Sequence, residues 1–389
     1  MFKKLLNVVL VVLAGGLILS ACQPVATPAP VAATQALKIE PTLAPGSVQL
    51  VAQGATFPLP VYDVWTKSYQ FVDPAVNLTY AGTGSGAGKK AIVDGTVDFA
   101  GSDSVLKDEY KTVPDLQMLP TLAGAVVPIF NLQSTEKDAN GNAVAITALV
   151  LDRQTLADIY QAKITKWNDP SITKLNPTLV GKLSDATITV VHRADSSGTT
   201  EIFTKALASF SADWLAKVGA GASTVEWPVD KNGNGIGGKG NPGVAVAVQN
   251  TTNSIGYVEL AYAISNKIPF AKLINKAGKA VTADADSLAS AMGDFANAFD
   301  DRLNATIVDG SGAGSWPISG YTYLIVRTQS MKDCVKAQKV VEYIKWTLTD
   351  TRAGKIASDL GYSLLPQAVL DKVMGKLNAI TCNGAVVSK

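Results

Sequence analysis

The sequence predicts an α/β protein arranged in two lobes, and three observations carry that expectation. Apolar β-branched runs alternate with helical periodicities through both halves of the chain. Its 389 residues suffice for two hydrophobic cores. Polar, glycine-containing stretches recur where a strand hands over to a helix, at Gln53–Pro58, Ala81–Gly88 and Arg193–Thr199.

Hydrophobic residues make up 47% and charged residues 17%, an ordinary globular balance. The formal charge is +2, and removing Lys3 and Lys4 with a leader leaves 32 basic against 32 acidic side chains. No basic excess is available for nucleic acid, so an anion must be held by local groups. The single His is His192 and the three Cys are scattered, which argues against a His/Cys metal site or a His-dependent triad.

Met1–Ala21 reads as an export signal, with Lys3 and Lys4 before the apolar run Leu5–Leu19. A short membrane anchor is the alternative. Leu19-Ser20-Ala21-Cys22 resembles the bacterial lipobox, in which Cys22 becomes the lipidated first residue and 1–21 is removed. Residues 22–46, with five prolines among Ala and Thr, then form an extended tether. With Cys22 lipidated, Cys334 and Cys382 remain outside the reducing cytoplasm, either joined as a disulfide or as two buried thiols.

The folded part starts with a strand over Ser47–Ala52 and a helix over Pro60–Tyr69, so Thr56 and Phe57 stand just before a helix. Val76–Tyr80 is a second strand, and the glycine loop Ala81–Gly88 leads into a helix over Lys89–Val93. A Walker A loop fails here because Thr83 and Lys90 occupy its first Gly and its Ser/Thr. The dinucleotide fingerprint fits only loosely, as Gly82-x-Gly84-x-x-Ala87, with no acid placed to read a ribose. Neither Ser85 nor Ser197 stands in a nucleophile elbow, and a small anion suits the loop better.

Val97–Asp103 is a short strand and polar turn, with Asp103 reading locally as the N-cap of a helix over Val105–Tyr110. Leu116–Leu132 is a long apolar strand crossing between lobes, and Gly320–Arg327 is the second crossing strand. Asp230, Asn232, Asn234 and Gly235 match the opening of a calcium loop within the glycine-rich loop Glu226–Gly243, but Asn241 stands where Glu must close it. Thr251–Ala263 reads as turn and helix, Asp284–Phe299 as a helix, and three helices finish the chain over Val335–Leu348, Thr351–Leu360 and Ala368–Leu377.

Ala186–His192 is a buried strand that delivers Arg193-Ala194-Asp195-Ser196-Ser197-Gly198-Thr199 to the helix Thr200–Leu207. Arg193 offers a planar, permanently charged fork, Asp195 is placed to hold it, and the first helical N–H groups lack intrahelical partners. That is the chemistry of an oxyanion clamp. The same residues also suit an ordinary Ser N-cap beside a surface Arg–Asp pair.

Taken together, these motifs resemble the phosphate-binding proteins of bacterial high-affinity phosphate ABC transporters. The resemblance runs through Gly54–Tyr62, Gly84-Ser85, Val97–Asp103, Arg193–Thr199, Gly237–Asn241, Ser254–Glu259 and Leu360–Pro366. It implies a type II periplasmic-binding-protein fold, with two α/β lobes joined by two crossing strands. Lobe I would take 47–125 plus 312–389 and lobe II 126–311. One phosphate would be held between them by Thr56, Phe57, Ser85, Asp103, Arg193, Ser197, Gly198 and Thr199, with Asp195 orienting Arg193.

The resemblance further implies a monomeric, extracytoplasmic lipoprotein, facing the periplasm or cell exterior, that hands phosphate to a membrane permease. No enzyme activity, cofactor, metal or nucleic acid is expected. Three departures stand out: Gly86-Ala87 in the glycine loop where a Ser-Gly pair is usual, His192 before the arginine, and an enlarged Asp230–Asn234 loop. Asp103 acquires a role within this resemblance, because phosphate near neutral pH carries a proton to donate to a carboxylate and sulfate does not. Two other classes stay in view: a secreted phosphatase using Ser85 or Ser197, which lacks a convincing general base, and a surface sensor or scavenger without a transporter.

Overall fold

The computed structural model describes residues 43–387. The expected signal over 1–21, the lipidation at Cys22 and the tether up to residue 42 lie outside the described residues. Among the described residues no helix is long and apolar enough to cross a membrane.

The chain opens with β1 (Val48–Gly54), α1 (Leu59–Val72), β2 (Val76–Gly82), α2 (Ser85–Asp94) and β3 (Phe99–Ser102). β1 lies between β2 and β3, parallel to both, with Gly54 level with Gly82 and Gly101. Three strand ends thus lie side by side, and Thr56, Ser85 and Asp103 each come after one of them within three residues. The carboxyl edge of parallel strands is where open α/β sheets place their ligand sites. α1 packs Val61, Tyr62, Trp65 and Tyr69 onto this sheet at helical spacing.

α3 (Glu109–Thr112) is a single turn. The helix expected over Val105–Tyr110 is not formed, and Asp103 caps nothing. Its carboxylate accepts instead from Thr322 and Ser85, while the Leu106 N–H is taken by Met118 Sδ. Long-range partners outcompete the local cap.

β4 (Leu116–Lys137) is buried along nearly its whole apolar length, as expected of a strand covered on both faces. After it come β5 (Ala143–Ile146), β6 (Val150–Asp152), α4 (Arg153–Tyr160), α5 (Pro170–Leu175), β7 (Thr189–Arg193), α6 (Gly198–Phe210) and α7 (Ala212–Lys217). The chain continues through β8 (Gly235–Gly238), α8 (Gly240–Asn250), β9 (Ser254–Glu259), α9 (Leu260–Ser265), β10 (Lys272–Ile274), β11 (Ala280–Val281), α10 (Ala285–Asp294), β12 (Ile307–Val308) and β13 (Ile318–Arg327). It finishes with α11 (Cys334–Thr349), α12 (Thr351–Asp359), β14 (Ser363–Leu364), α13 (Gln367–Asn378), β15 (Thr381–Cys382) and β16 (Ala385–Val386).

The loop expected over Glu226–Gly243 thus holds β8 and the first turn of α8, and the stretch expected as turn and helix over Thr251–Ala263 holds β9 between a turn at 251–253 and α9. Gly and Pro dominate the first of these stretches, which hides a short edge strand and a helix whose Pro242 sits in the first turn.

The main sheet runs β2-β1-β3-β13-β4-β9-β7-β8. β4 is the hinge of this order. Its Leu116–Ala125 segment pairs with β13, and its Val126–Asn131 segment pairs with β9. β9, β7 and β8 are mutually parallel, so Arg193 ends its strand level with Gly238 just before α6 and α8 begin. The second half of the sheet repeats the logic of the first. β13 enters beside this junction, where the Trp316 indole donates to the Val126 carbonyl at 3.0 Å. A register shift at Thr322/Tyr323 leaves Thr121 of β4 as an extra residue, and its hydroxyl donates to Thr322 O. Cys334 and Cys382 form a disulfide, tying the start of α11 to β15.

Candidate functional site

The carboxyl edges of the two parallel strand sets meet, and the residues singled out in the sequence meet there. Ser85, first residue of α2, is the crossing point. Its Oγ accepts the N–H of Asp103 and the N–H of Gly198, both at 3.2 Å, and lies 3.3 Å from Asp103 Oδ2. Gly86 N donates to Ser196 O at 3.2 Å alongside. Gly84, at φ +98°, leaves no room for a side chain, since a Cβ would lie 2.5 Å from Asp195 Oδ2.

Arg193 is buried, and its fork is fixed by Asp195 through two bonds, Nε to Oδ1 at 2.8 Å and Nη2 to Oδ2 at 2.6 Å. Asp195 also accepts from Gly240 N at 3.0 Å. Burial pushes the Asp195 carboxyl up, but the hydrogen bond and charge of Arg193 outweigh it and hold it below the ordinary carboxylate range. The third guanidinium nitrogen, Nη1, donates to Thr199 Oγ1 at 3.3 Å. Ser197 is the N-cap of α6, accepting Thr200 N at 3.1 Å. The reading of a Ser N-cap is therefore correct for Ser197, whereas that of a surface Arg–Asp pair is not: Arg193 is 5% exposed.

Asp103 is a buried acid at the same junction. Thr322 donates to its Oδ1 at 2.8 Å. Burial raises its carboxyl to about 7, against the opposing pull of Thr322, Arg193 and Ser85. The site therefore pairs a fixed cation with a carboxyl poised between its two forms.

Thr56 and Phe57 enter from the turn before α1. Thr56 O accepts the Tyr262 hydroxyl at 2.6 Å, and Phe57 O accepts the Tyr362 hydroxyl at 2.7 Å. Tyr362 Oη also lies 2.8 Å from Glu259 Oε2, a side chain whose carboxyl is driven well above its usual range by burial. Glu259 Oε2 also accepts Ala261 N at 2.9 Å, so the buried carboxyl keeps polar partners.

Three residues of the site escape sequence reasoning. Asn241 reads from the sequence only as the residue that spoils a calcium loop, yet it is fully buried and joins Thr56 to Thr199. Its place in the Gly237–Asn241 motif is the available signal. Thr322 and Tyr362 act on Asp103 and Phe57 from 219 and 305 residues away, and nothing local marks Thr322. Asp230, which opens the calcium-like run, instead pairs with His192 Nε2 at 2.8 Å, and the His192 ring stacks on Trp227. Among the described residues no group of His, Cys, Asp or Glu is arranged to hold a metal.

Comparison with known proteins gives consistent results. The model of the PBP superfamily domain matches residues 39–351. The phosphate-binding protein PstS of Xylella fastidiosa is 38% identical over 329 residues, covering 84% of this chain and 84% of the relative. That of Methanocaldococcus jannaschii is 34% identical over 350 residues, covering 86% and 87%. Among solved structures, a phosphate-binding protein from Stenotrophomonas maltophilia superposes with a TM-score of 0.61 at 24% identity, covering 88% of this chain and 100% of that one. A high-affinity periplasmic phosphate-binding protein solved with phosphate gives a TM-score of 0.65 at 20% identity, covering 84% and 93%. These structural matches establish the type II periplasmic-binding fold.

Proposed function

The chain belongs to the PBP superfamily and, within it, to the PstS phosphate-binding proteins, and from that premise we propose that it captures inorganic phosphate outside the cytoplasm and delivers it to the permease of an ABC transporter. It is a binding protein, not an enzyme, as the relatives it matches over most of their length are phosphate-binding proteins.

The observation that supports this reading best is the buried fork of Arg193, aimed at Thr199 and flanked by Ser85 and Gly198 at two helix N-termini. One fixed positive charge, hydroxyl donors and helix-terminal N–H groups suit a small tetrahedral oxyanion. In this reading Thr56, Phe57, Ser85 and Asp103 come from lobe I (47–125 plus 312–389). Arg193, Ser197, Gly198 and Thr199 come from lobe II (126–311), and the lobes close on the ligand about β4. Asp195 keeps the guanidinium in place, and Asp103 accepts a hydrogen bond from the protonated oxygen of phosphate.

We further propose that Cys22 carries a lipid, that 1–21 is removed, and that 22–46 tethers a monomeric receptor to the membrane. Uptake of labelled phosphate by cells at limiting phosphate tests delivery. Loss on deletion, restored by the chain and not by an Arg193→Ala variant, is the expected result; uptake unchanged by deletion would leave a sensor or scavenger instead. Labelling with a radioactive fatty acid, abolished by Cys22→Ser, tests the anchor.

A further inference from the structure

Asn241 makes four hydrogen bonds whose directions are all forced. Its Oδ1 accepts Glu259 N at 2.9 Å, and a backbone N–H can only donate, so the amide cannot be flipped. Its NH2 group must therefore face the two threonines, donating to Thr56 Oγ1 and to Thr199 Oγ1, both at 3.0 Å. The Asn241 backbone N–H donates to Thr56 Oγ1 as well, at 3.0 Å. Thr199 Oγ1 takes its second donor from Arg193 Nη1.

Each threonine oxygen thus receives two bonds from groups that cannot accept. A hydroxyl has two lone pairs and one proton. With both lone pairs engaged, the remaining O–H has no recipient among these partners and must be offered elsewhere. We infer that Asn241 is a positioning residue that fixes the polarity of Thr56 and Thr199, so that both present a proton, never a lone pair, to the bound anion. The inference rests on the phosphate-binding reading above and deepens it. A freely rotating hydroxyl would meet an oxyanion with either end, whereas a fixed donor needs no reorientation when the anion arrives.

The location supports this role. Asn241 lies in the first turn of α8, behind Thr56 and Thr199, and its own contacts are to these hydroxyls and to Glu259 N. Glu259 in turn is held by Tyr362, which also binds Phe57 O. The amide thus takes its orientation from Glu259 N, within a buried set of bonds that links both halves of the sheet.

A double-mutant cycle on the full chain, read by phosphate affinity, tests the inference. Asn241→Ala is expected to weaken phosphate binding roughly tenfold to a hundredfold. In a Thr56→Val/Thr199→Val background the same change is expected to alter affinity by less than about twofold, because the hydroxyls through which it acts are gone. An equal loss in both backgrounds would show a merely structural role and overturn the inference, as would parent affinity in Asn241→Ala. Thr56→Val and Thr199→Val alone keep the test open should Asn241→Ala not fold: each is expected to weaken binding, and parent affinity in either overturns it. A parent chain that binds no phosphate would instead remove the functional reading itself.

Discussion

Gly198 N donates to Ser85 Oγ at 3.2 Å, joining residues 113 positions apart at the seam between the two halves of the sheet. A glycine is required there. A Cβ at Gly198 would lie 2.5 Å from Asp103 Cβ and 2.6 Å from its carbonyl carbon, backbone and side-chain atoms that cannot simply rotate away. Gly198→Ala is therefore expected to wedge the seam open. Phosphate affinity should fall by an order of magnitude or more, roughly 1.4 kcal/mol per tenfold, while far-UV circular dichroism stays that of the parent. Unchanged affinity in this variant would mean the seam does not close on the ligand.

Asp103 is expected to set selectivity. As a carboxylate it accepts a hydrogen bond from protonated phosphate, and it repels sulfate, which has no proton to donate. Asp103→Asn should bind sulfate at least about tenfold more tightly than the parent does. Because burial holds this carboxyl near about 7, the parent's own rejection of sulfate should weaken as pH falls below that value. Competition of sulfate against labelled phosphate at several pH values reads both effects.

The same group makes ligand-free stability depend on pH. Its carboxyl sits at about 7 in the folded chain against an ordinary value of 3.8. Between those values the unfolded chain has lost a proton that the folded chain keeps, so stability falls as pH rises from about 4 to about 7. Glu259, also raised by burial, adds to the fall. Thermal melts of ligand-free protein should show the decline, and Asp103→Asn should make it shallower. A parent and variant with the same pH profile would place Asp103 in a more open setting than its partners describe.

The Cys334–Cys382 bond closes a loop with a sequence separation of 48. In the chain-entropy model such a link contributes up to about 4 kcal/mol. Reduction, or the Cys334→Ser/Cys382→Ser variant, should lower the melting temperature by several degrees. Phosphate affinity should be unchanged, since the link ties α11 to β15 and touches none of the site residues.

Much of the site is legible in the sequence because each half of it is local. Thr56, Ser85, Asp103 and the Arg193–Thr199 run each sit in a short polar stretch at the end of an apolar strand, and strand-to-helix turns leave backbone donors free whatever the tertiary fold. The links between those turns are hidden. Asp103 looks like a cap because its nearest neighbours in sequence suit one, but Thr322 and Ser85 reach it first in space. Asn241 looks like a defect in a calcium loop because its partners, Thr56 and Thr199, are 185 and 42 residues away. β8, α8 and β9 are obscure for a different reason: their glycines and Pro242 read as punctuation, and only pairing with β7 and β4 makes them structure.

The most direct test of the account is a calorimetric titration of the full chain, freed of ligand by unfolding and refolding, first with phosphate and then with sulfate. One-to-one phosphate binding with no heat from sulfate is the expected result. A folded sample silent toward both anions would contradict the assignment of Arg193, Ser85 and their partners as a phosphate site, and an equal response to both would contradict the role given to Asp103.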